Sequence, residues 1–78
     1  GGKPDYDVAS LRELLESMVS SRDLAPDTPV GDIARMVIYQ LYGALFFWCY
    51  SNGELDTRAH MDAYIRAQLE PMMSRYIL

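Results

Sequence analysis

The sequence predicts an all-α fold, a three-helix segment that pairs with a second copy as a four-helix-bundle dimer interface. Apolar residues recur at three- and four-residue spacing, which is the period of an amphipathic helix. Strict alternation of apolar and polar residues is absent, so no strand competes. The second copy is expected because the stretch LYGALFFWCY, Leu41 to Tyr50, carries no formal charge and is apolar on every side of a helix.

The first predicted helix covers residues 8–21, with Asp5 or Asp7 as its N-cap. One face of this helix is charged or polar and the other is apolar, as in an ordinary amphipathic helix. The apolar face consists of Val8, Leu11, Leu14, Leu15, Met18 and Val19.

The second predicted helix covers residues 29–51 and contains the apolar stretch. Asp27 or Thr28 is the expected N-cap, with Pro29 at the first helical position, where the missing N–H costs nothing. Asn52-Gly53 is expected to end the helix in a left-handed turn. Gly43 lies inside the helix, where it lowers helix propensity by roughly 1 kcal/mol and lets another helix approach closely.

The third predicted helix covers residues 56–70, with Asp56 as its N-cap. Pro71 removes a helical hydrogen bond, so we expect a bend or an end near Glu70. Two lines of side chains run along this helix. The first is Met61, Ile65, Leu69, Met72 and Tyr76, and the second is Ala59, Ala63 and Ala67, small enough for close helix packing.

Length and charge exclude several classes of protein. The 78 residues allow one helical domain, residues 1–78, which we expect to be a fragment because it starts at Gly1-Gly2 without a Met. The net charge is -4, and one Lys and six scattered Arg form no basic run, so these residues are not expected to contact nucleic acid.

The longest nearly uncharged run, residues 36–50, is shorter than the roughly 20 residues that a membrane span needs. Without a signal peptide, and with one Cys, a cytoplasmic location is expected.

Catalytic and metal-binding chemistry is not expected. His60, the only histidine, lies four residues after Asp56, so the two could act as a base and its orienting group, but a surface histidine is favoured. Cys49 is favoured as a small core hydrophobe over a redox sensor. Glu54, Asp56 and His60 could hold only an adventitious ion, and no cofactor is indicated.

Two sets of side chains are candidates for binding. Met36, Tyr39 and Gln40 form the candidate effector pocket, in which one polar group orients a ligand among apolar ones. The alternative, which we favour, is that the Tyr hydroxyls reach the rim of the packed region and Gln40 pairs with a backbone or partner group. The candidate dimer interface consists of Leu41, Ala44, Leu45, Trp48, Met61, Ile65, Leu69 and Met72.

A family resemblance runs through the same residues, from about Ser20 to Ile77. RDLAPDTPVGDIARMVIYQLYGALFFWCYSNGELD resembles the last helices of the TetR-type bacterial transcriptional regulators. The elements that carry it are Ala25-Pro26-Asp27, Ala34-Arg35, Gly43-Ala44-Leu45, Phe47-Trp48 and Gly53-Glu54-Leu55-Asp56.

The resemblance implies a homodimer in which the last two long helices of each subunit form a four-helix interface. It also implies that a helix similar in position to residues 8–21 helps to wall a pocket for a small hydrophobic effector. The family's DNA-binding helix-turn-helix precedes this region and is not among these residues, so DNA would be bound only through that N-terminal domain. The alternative function is a free-standing helical interaction module whose groove takes an amphipathic helix of a partner protein.

Overall fold

The computed structural model describes residues 7–78 and confirms the all-α class. Helix α1 spans Val8–Ser20 and helix α2 spans Val30–Tyr50. Helix α3, Thr57–Tyr64, continues into a π-helical segment, Ile65–Leu69, and then into α4, Glu70–Met73, and we call these three together the third helical run. Among the described residues the one β-type pairing is an isolated antiparallel bridge between Leu24 and Ile77.

Two of the predicted N-caps are confirmed. The Asp7 carboxylate accepts a hydrogen bond from the Ser10 backbone N–H at 2.7 Å at the start of α1. The Asp56 carboxylate accepts one from the Ala59 N–H at 3.0 Å at the start of α3. Each satisfies a backbone donor that the first helical turn leaves unpaired. Asp5, the other candidate for α1, lies outside the described residues.

The predicted start of α2 is wrong. The helix begins at Val30, Pro29 is its N-cap residue, and no side chain caps it. The Thr28 hydroxyl is buried and donates to the Ala25 carbonyl oxygen at 2.6 Å, so it closes the preceding turn and does not accept from α2. Neither Asp27 nor Thr28 is therefore the cap.

The end of α2 is as predicted. Asn52 and Gly53 both have left-handed backbone conformations, with φ of 57° and 83°. The Gly53 N–H donates to the Trp48 carbonyl oxygen at 2.8 Å, which satisfies one of the last carbonyls of the helix. A side chain at Gly53 would also lie 3.7 Å from the Trp48 ring, so the ring covers this turn.

Of the two predicted alternatives, a bend or an end near Glu70, the end is wrong, because helical turns continue through Pro71 to Met73. The irregularity in the helix lies before the proline. In the π-helical segment the backbone hydrogen bonds span five residues, and the Glu70 N–H donates to the Ile65 carbonyl oxygen. In a regular α-helix the ring of Pro71 would clash with the carbonyl of Ala67, which belongs to this segment. The wider π turn therefore accommodates Pro71 without ending the helix.

The core lies between α1, the first half of α2 and the end of the third helical run. Its buried residues are Leu15, Leu24, Ile33 and Ala34. The residues that follow α4 close it, because Ala25 donates to the Tyr76 carbonyl at 2.8 Å and Leu78 donates to the Asp23 carbonyl at 3.1 Å. These two bonds flank Leu24, which is 1% exposed.

The molecule is flat. Its principal extents are 42 × 34 × 15 Å and its radius of gyration is 14.0 Å, where a compact domain of this length has about 11.5 Å. Its accessible surface is 5776 Å², against about 4,800 Å² for a compact monomer of the same mass. The smallest extent, 15 Å, is less than half of either of the other two.

Replacement of Leu24 by Ala tests whether this residue anchors the core. We expect Leu24→Ala to lower the free energy of unfolding by about 2–4 kcal/mol, because it leaves a cavity beneath the chain terminus. Urea unfolding followed by circular dichroism measures the change. Leu14, 56% exposed on α1, provides the matched control, and Leu14→Ala should cost less than about 0.5 kcal/mol. Equal losses in both variants would contradict this assignment.

Candidate functional site

The second half of α2 carries a large exposed apolar surface. Its side chains range in exposure from 41% for Leu45 to 78% for Tyr50. Phe46 lies edge-on to Phe47, with ring centroids 5.5 Å apart, and is stacked with Tyr50 at 6.2 Å. We call this the α2 aromatic surface, and it consists of Tyr42, Leu45, Phe46, Phe47, Trp48 and Tyr50.

The cause of the exposure is the difference in helix length. Helix α1 has 13 residues and α2 has 21. The α2 residues that belong to or pack against the core cluster, Val30, Ile33, Ala34 and Val37, all lie in its first half. The second half extends beyond the core, with α3 as the element beside it.

The predicted interface residues fall into two groups. Leu45 and Trp48 are exposed, while Leu41, Met61 and Ile65 are half-buried, so all five retain surface that a partner can cover. The remaining three are already packed within the chain: Ala44 is buried, and Leu69 and Met72 lie against the core cluster.

A groove of about 320 Å³ lies between the second half of α2 and α3. Its lining is mostly apolar and consists of Gln40, Gly43, Ala44, Phe47, Tyr50, Ser51, Leu55 and His60. A Cβ atom added to Gly43 would meet no atom within 4 Å. The close approach predicted at Gly43 is therefore not made by any other part of the described chain.

A second cavity of about 290 Å³ adjoins the groove, because Gln40 and His60 line both. Its other lining residues are Ala63, Tyr64, Ala67 and Gln68. Tyr64 is 5% exposed, and its buried hydroxyl has no hydrogen-bond partner among residues 7–78. Burial raises the pKa of Tyr64 above its ordinary value, since the phenolate would lose its hydration. Tyr64 is therefore a neutral phenol near pH 7, and its hydroxyl donates to none of the described residues.

The candidate effector-pocket residues do not all meet at one cavity. Gln40 lines both the groove and the second cavity. Met36 and Tyr39 are exposed and line neither of them. Sequence reasoning identified Gln40 but missed Tyr64 and Gln68. The available signal was the four-residue spacing of His60, Tyr64 and Gln68, which places three polar side chains on one helix face.

The residues considered for catalysis are dispersed. His60 is exposed, and the Asp56 carboxylate is engaged by the Ala59 N–H. Within residues 7–78, no three His, Cys, Asp or Glu side chains come together as a metal site would require, so Glu54, Asp56 and His60 do not form one. The prediction that Cys49 is a core residue is wrong: its thiol is exposed because it lies on the uncovered half of α2.

Comparison of the chain with family models, curated proteins and solved structures found no match. The function is therefore inferred from the α2 aromatic surface and the two adjoining cavities. Despite its apolar second half, α2 does not meet the requirements for a membrane span, and neither does any other helix within residues 7–78.

The Tyr64 hydroxyl gives a testable pH dependence. Its raised pKa means that the native state holds this proton more tightly than the unfolded state. The resulting stability is fully present below the unfolded pKa of about 10 and is lost as pH rises through the higher native pKa. We expect the native chain to lose more free energy of unfolding than Tyr64→Phe between about pH 9 and about pH 11.

Urea unfolding across this pH range measures the difference. Near pH 7, Tyr64→Phe should be as stable as the native chain or more so, because it removes a buried polar group without a partner. Parallel pH curves for the native chain and Tyr64→Phe would show that this hydroxyl is hydrated.

Proposed function

We propose that the chain is the dimerisation and partial effector-binding region of a TetR-like bacterial transcriptional regulator that acts in the cytoplasm. One observation carries the dimerisation, namely the α2 aromatic surface, which residues 7–78 leave uncovered. So many large exposed apolar side chains on one helix are uncommon on a monomer and are typical of a protein interface. The sequence pattern from Ser20 to Ile77 is what supports the comparison with the regulator family.

The size of the uncovered surface suits a dimer. The chain exposes 5776 Å², an excess of roughly 1,000 Å² over a compact monomer of its mass. A standard protein interface buries about 800 Å² on each partner. Covering the excess would therefore yield an interface of ordinary size.

A two-fold arrangement fits the exposed side chains. Leu45 and Trp48 on α2 and the half-buried Met61 on α3 provide apolar contacts. Ala59 and Ala63 on α3 are exposed and small, so a helix of the second copy can approach closely there. Two helical runs from each copy then form a four-helix bundle about a two-fold axis. DNA contact belongs to another part of such a regulator, because this region is acidic.

An interaction module is the second candidate, and the groove of about 320 Å³ favours it. A partner's amphipathic helix could place an apolar side chain beside Gly43, where the groove is open. In that case the chain alone would remain a monomer. The molecular mass of the chain in solution therefore distinguishes the interaction module from the dimer.

The dimer is tested with a charge placed on the α2 aromatic surface. The unmodified chain should sediment as a dimer, and Leu45→Glu should weaken the dimer at least 100-fold, because a carboxylate is buried against apolar side chains. Leu14→Glu is the matched control, since Leu14 is an exposed leucine on α1, away from the surface. It should leave the dimer unchanged.

Circular dichroism of each variant establishes that the helices persist. A folded, monomeric native chain at high concentration would refute the dimer and favour the interaction module. An unchanged dimer in Leu45→Glu would place the interface elsewhere on the chain.

A further inference from the structure

We infer that α2 carries a second self-association surface, a self-complementary stripe on which another copy of the chain docks antiparallel. The stripe consists of Tyr39, Gly43, Phe46 and Tyr50, and we call it the α2 stripe. A spacing of four, three and four residues places all four on one face of the helix. Its three aromatic residues are between 63% and 78% exposed. The inference goes beyond the proposed dimer, which uses another side of α2.

The α2 stripe and the contacts of the proposed dimer lie on nearly opposite sides of α2. At 3.6 residues per turn, Leu45 and Trp48 lie roughly 160° around the helix from the middle of the stripe. One neighbouring helix cannot cover both sides. A copy on the α2 stripe therefore joins two of the proposed dimers into a tetramer with D2 symmetry, which is common among soluble oligomers.

The spacing makes the stripe complementary to itself in the antiparallel direction. It reads four, three, four from either end, so a two-fold axis midway between Gly43 and Phe46 places Gly43 of each copy opposite Phe46 of the other. Tyr39 and Tyr50 then form the outer pairs. A parallel arrangement would instead set glycine against glycine and phenylalanine against phenylalanine, which leaves a gap at one position and crowds two rings at the next.

The space at Gly43 suits an incoming ring. A Cβ atom there would meet nothing within 4 Å, and the groove of about 320 Å³ opens beside it. Phe46 is an exposed ring held in place by its edge contact with Phe47 at 5.5 Å and by its stacking with Tyr50 at 6.2 Å. Glycine inside a helix lowers helix propensity, and close approach of another helix is what it permits in return. Phe46 of the second copy makes that approach.

The exposed area is sufficient for a specific contact. The aromatic residues of the α2 stripe, with Tyr42 and Phe47 at its two edges, are 49–78% exposed. At roughly 200 Å² for a whole aromatic side chain, they present about 600 Å² on each copy. A contact of roughly 1,200 Å² in total is at the lower limit of specific interfaces. We therefore expect it to be weaker than the proposed dimer and to form at higher concentration.

The charges at the ends of the α2 stripe favour the antiparallel copy. Residues 36–50 carry no formal charge, so the paired stripes bring no like charges together. Arg35, which pairs with Asp32 on its own helix, is exposed one turn before the stripe begins. The end of α2 in the antiparallel copy lies beside it, where the last carbonyls of the helix and the exposed Glu54 attract a cation.

The test is made in a Leu45→Glu background, which removes a contact of the proposed dimer and leaves the α2 stripe intact. At about 0.5 mM, this chain should sediment as a dimer held by the α2 stripe. Adding Phe46→Ala should weaken that association at least tenfold, because it removes the ring that fills the space at Gly43. Adding Leu14→Ala, a change to an exposed leucine on α1, should leave it unchanged. A Leu45→Glu chain that stays monomeric up to about 1 mM, or an association that Phe46→Ala does not weaken, overturns the inference.

An exchange of ring and gap tests the antiparallel register. Gly43→Phe alone should weaken the association at least tenfold, since two rings then compete for one space. The double change Gly43→Phe and Phe46→Ala moves the ring to the other side of each pair, and it should restore the affinity to within about threefold of the background chain. Failure of the double change to restore the affinity overturns the antiparallel contact. Circular dichroism of each sample establishes that the helices persist, as expected for positions that are exposed or meet open space.

The single variants of the native chain keep the two self-association proposals apart. A mass that falls with Leu45→Glu and not with Phe46→Ala supports the proposed dimer and overturns the contact through the α2 stripe. A mass that falls with Phe46→Ala and not with Leu45→Glu supports the α2 stripe and refutes the proposed dimer. A native chain that is monomeric at every concentration overturns both, and the stripe would then serve a different protein.

Discussion

The packing of α1 against the first half of α2, through Leu15, Ile33 and Ala34, is the interaction on which the rest of the structure depends. At about 1.5 Å per residue, α1 is about 20 Å long and α2 about 32 Å long, so α1 cannot cover the whole of α2. The third helical run serves both halves. Its end, including Leu69 and Met72, closes the core, which leaves only α3 beside the second half of α2. The flat shape and the α2 aromatic surface follow from this mismatch.

Both proposed binding features lie on the half of α2 that the core does not use. Phe47 and Tyr50 belong to the α2 aromatic surface and also line the groove. The π-helical segment begins immediately after Tyr64, so the second cavity lies where the third helical run changes its hydrogen bonding. The first half of α2 therefore packs in the core, and the second half carries the exposed surface proposed for a partner and a ligand.

The helices and their caps could be predicted from the sequence because they depend on neighbouring residues. Asp7, Asp56 and the Asn52-Gly53 turn act over three to five residues, and their roles are confirmed. The prediction for Cys49 was wrong because the sequence shows that its neighbours in the helix are apolar. It does not show whether another helix covers them. That depends on where α1 ends relative to α2, which is a tertiary property.

The candidate site was predicted only in part for a related reason. Gln40 is conspicuous as a polar residue within an apolar run, and it lines both cavities. Tyr64 resembles an ordinary core residue in the sequence, and its significance comes from a hydroxyl that burial leaves without a partner. The prediction of the N-cap of α2 was wrong for a similar reason, because Thr28 is a good cap by residue type but is buried beneath its own turn.

The central claim is that a second copy covers the uncovered half of α2, and Trp48, the only tryptophan, reports on it directly. It is 46% exposed in the single chain, so acrylamide quenching of its fluorescence should fall as protein concentration rises and dimers form. Quenching that stays constant from the lowest to the highest concentration, in a sample that sediments at the monomer mass, would contradict the claim.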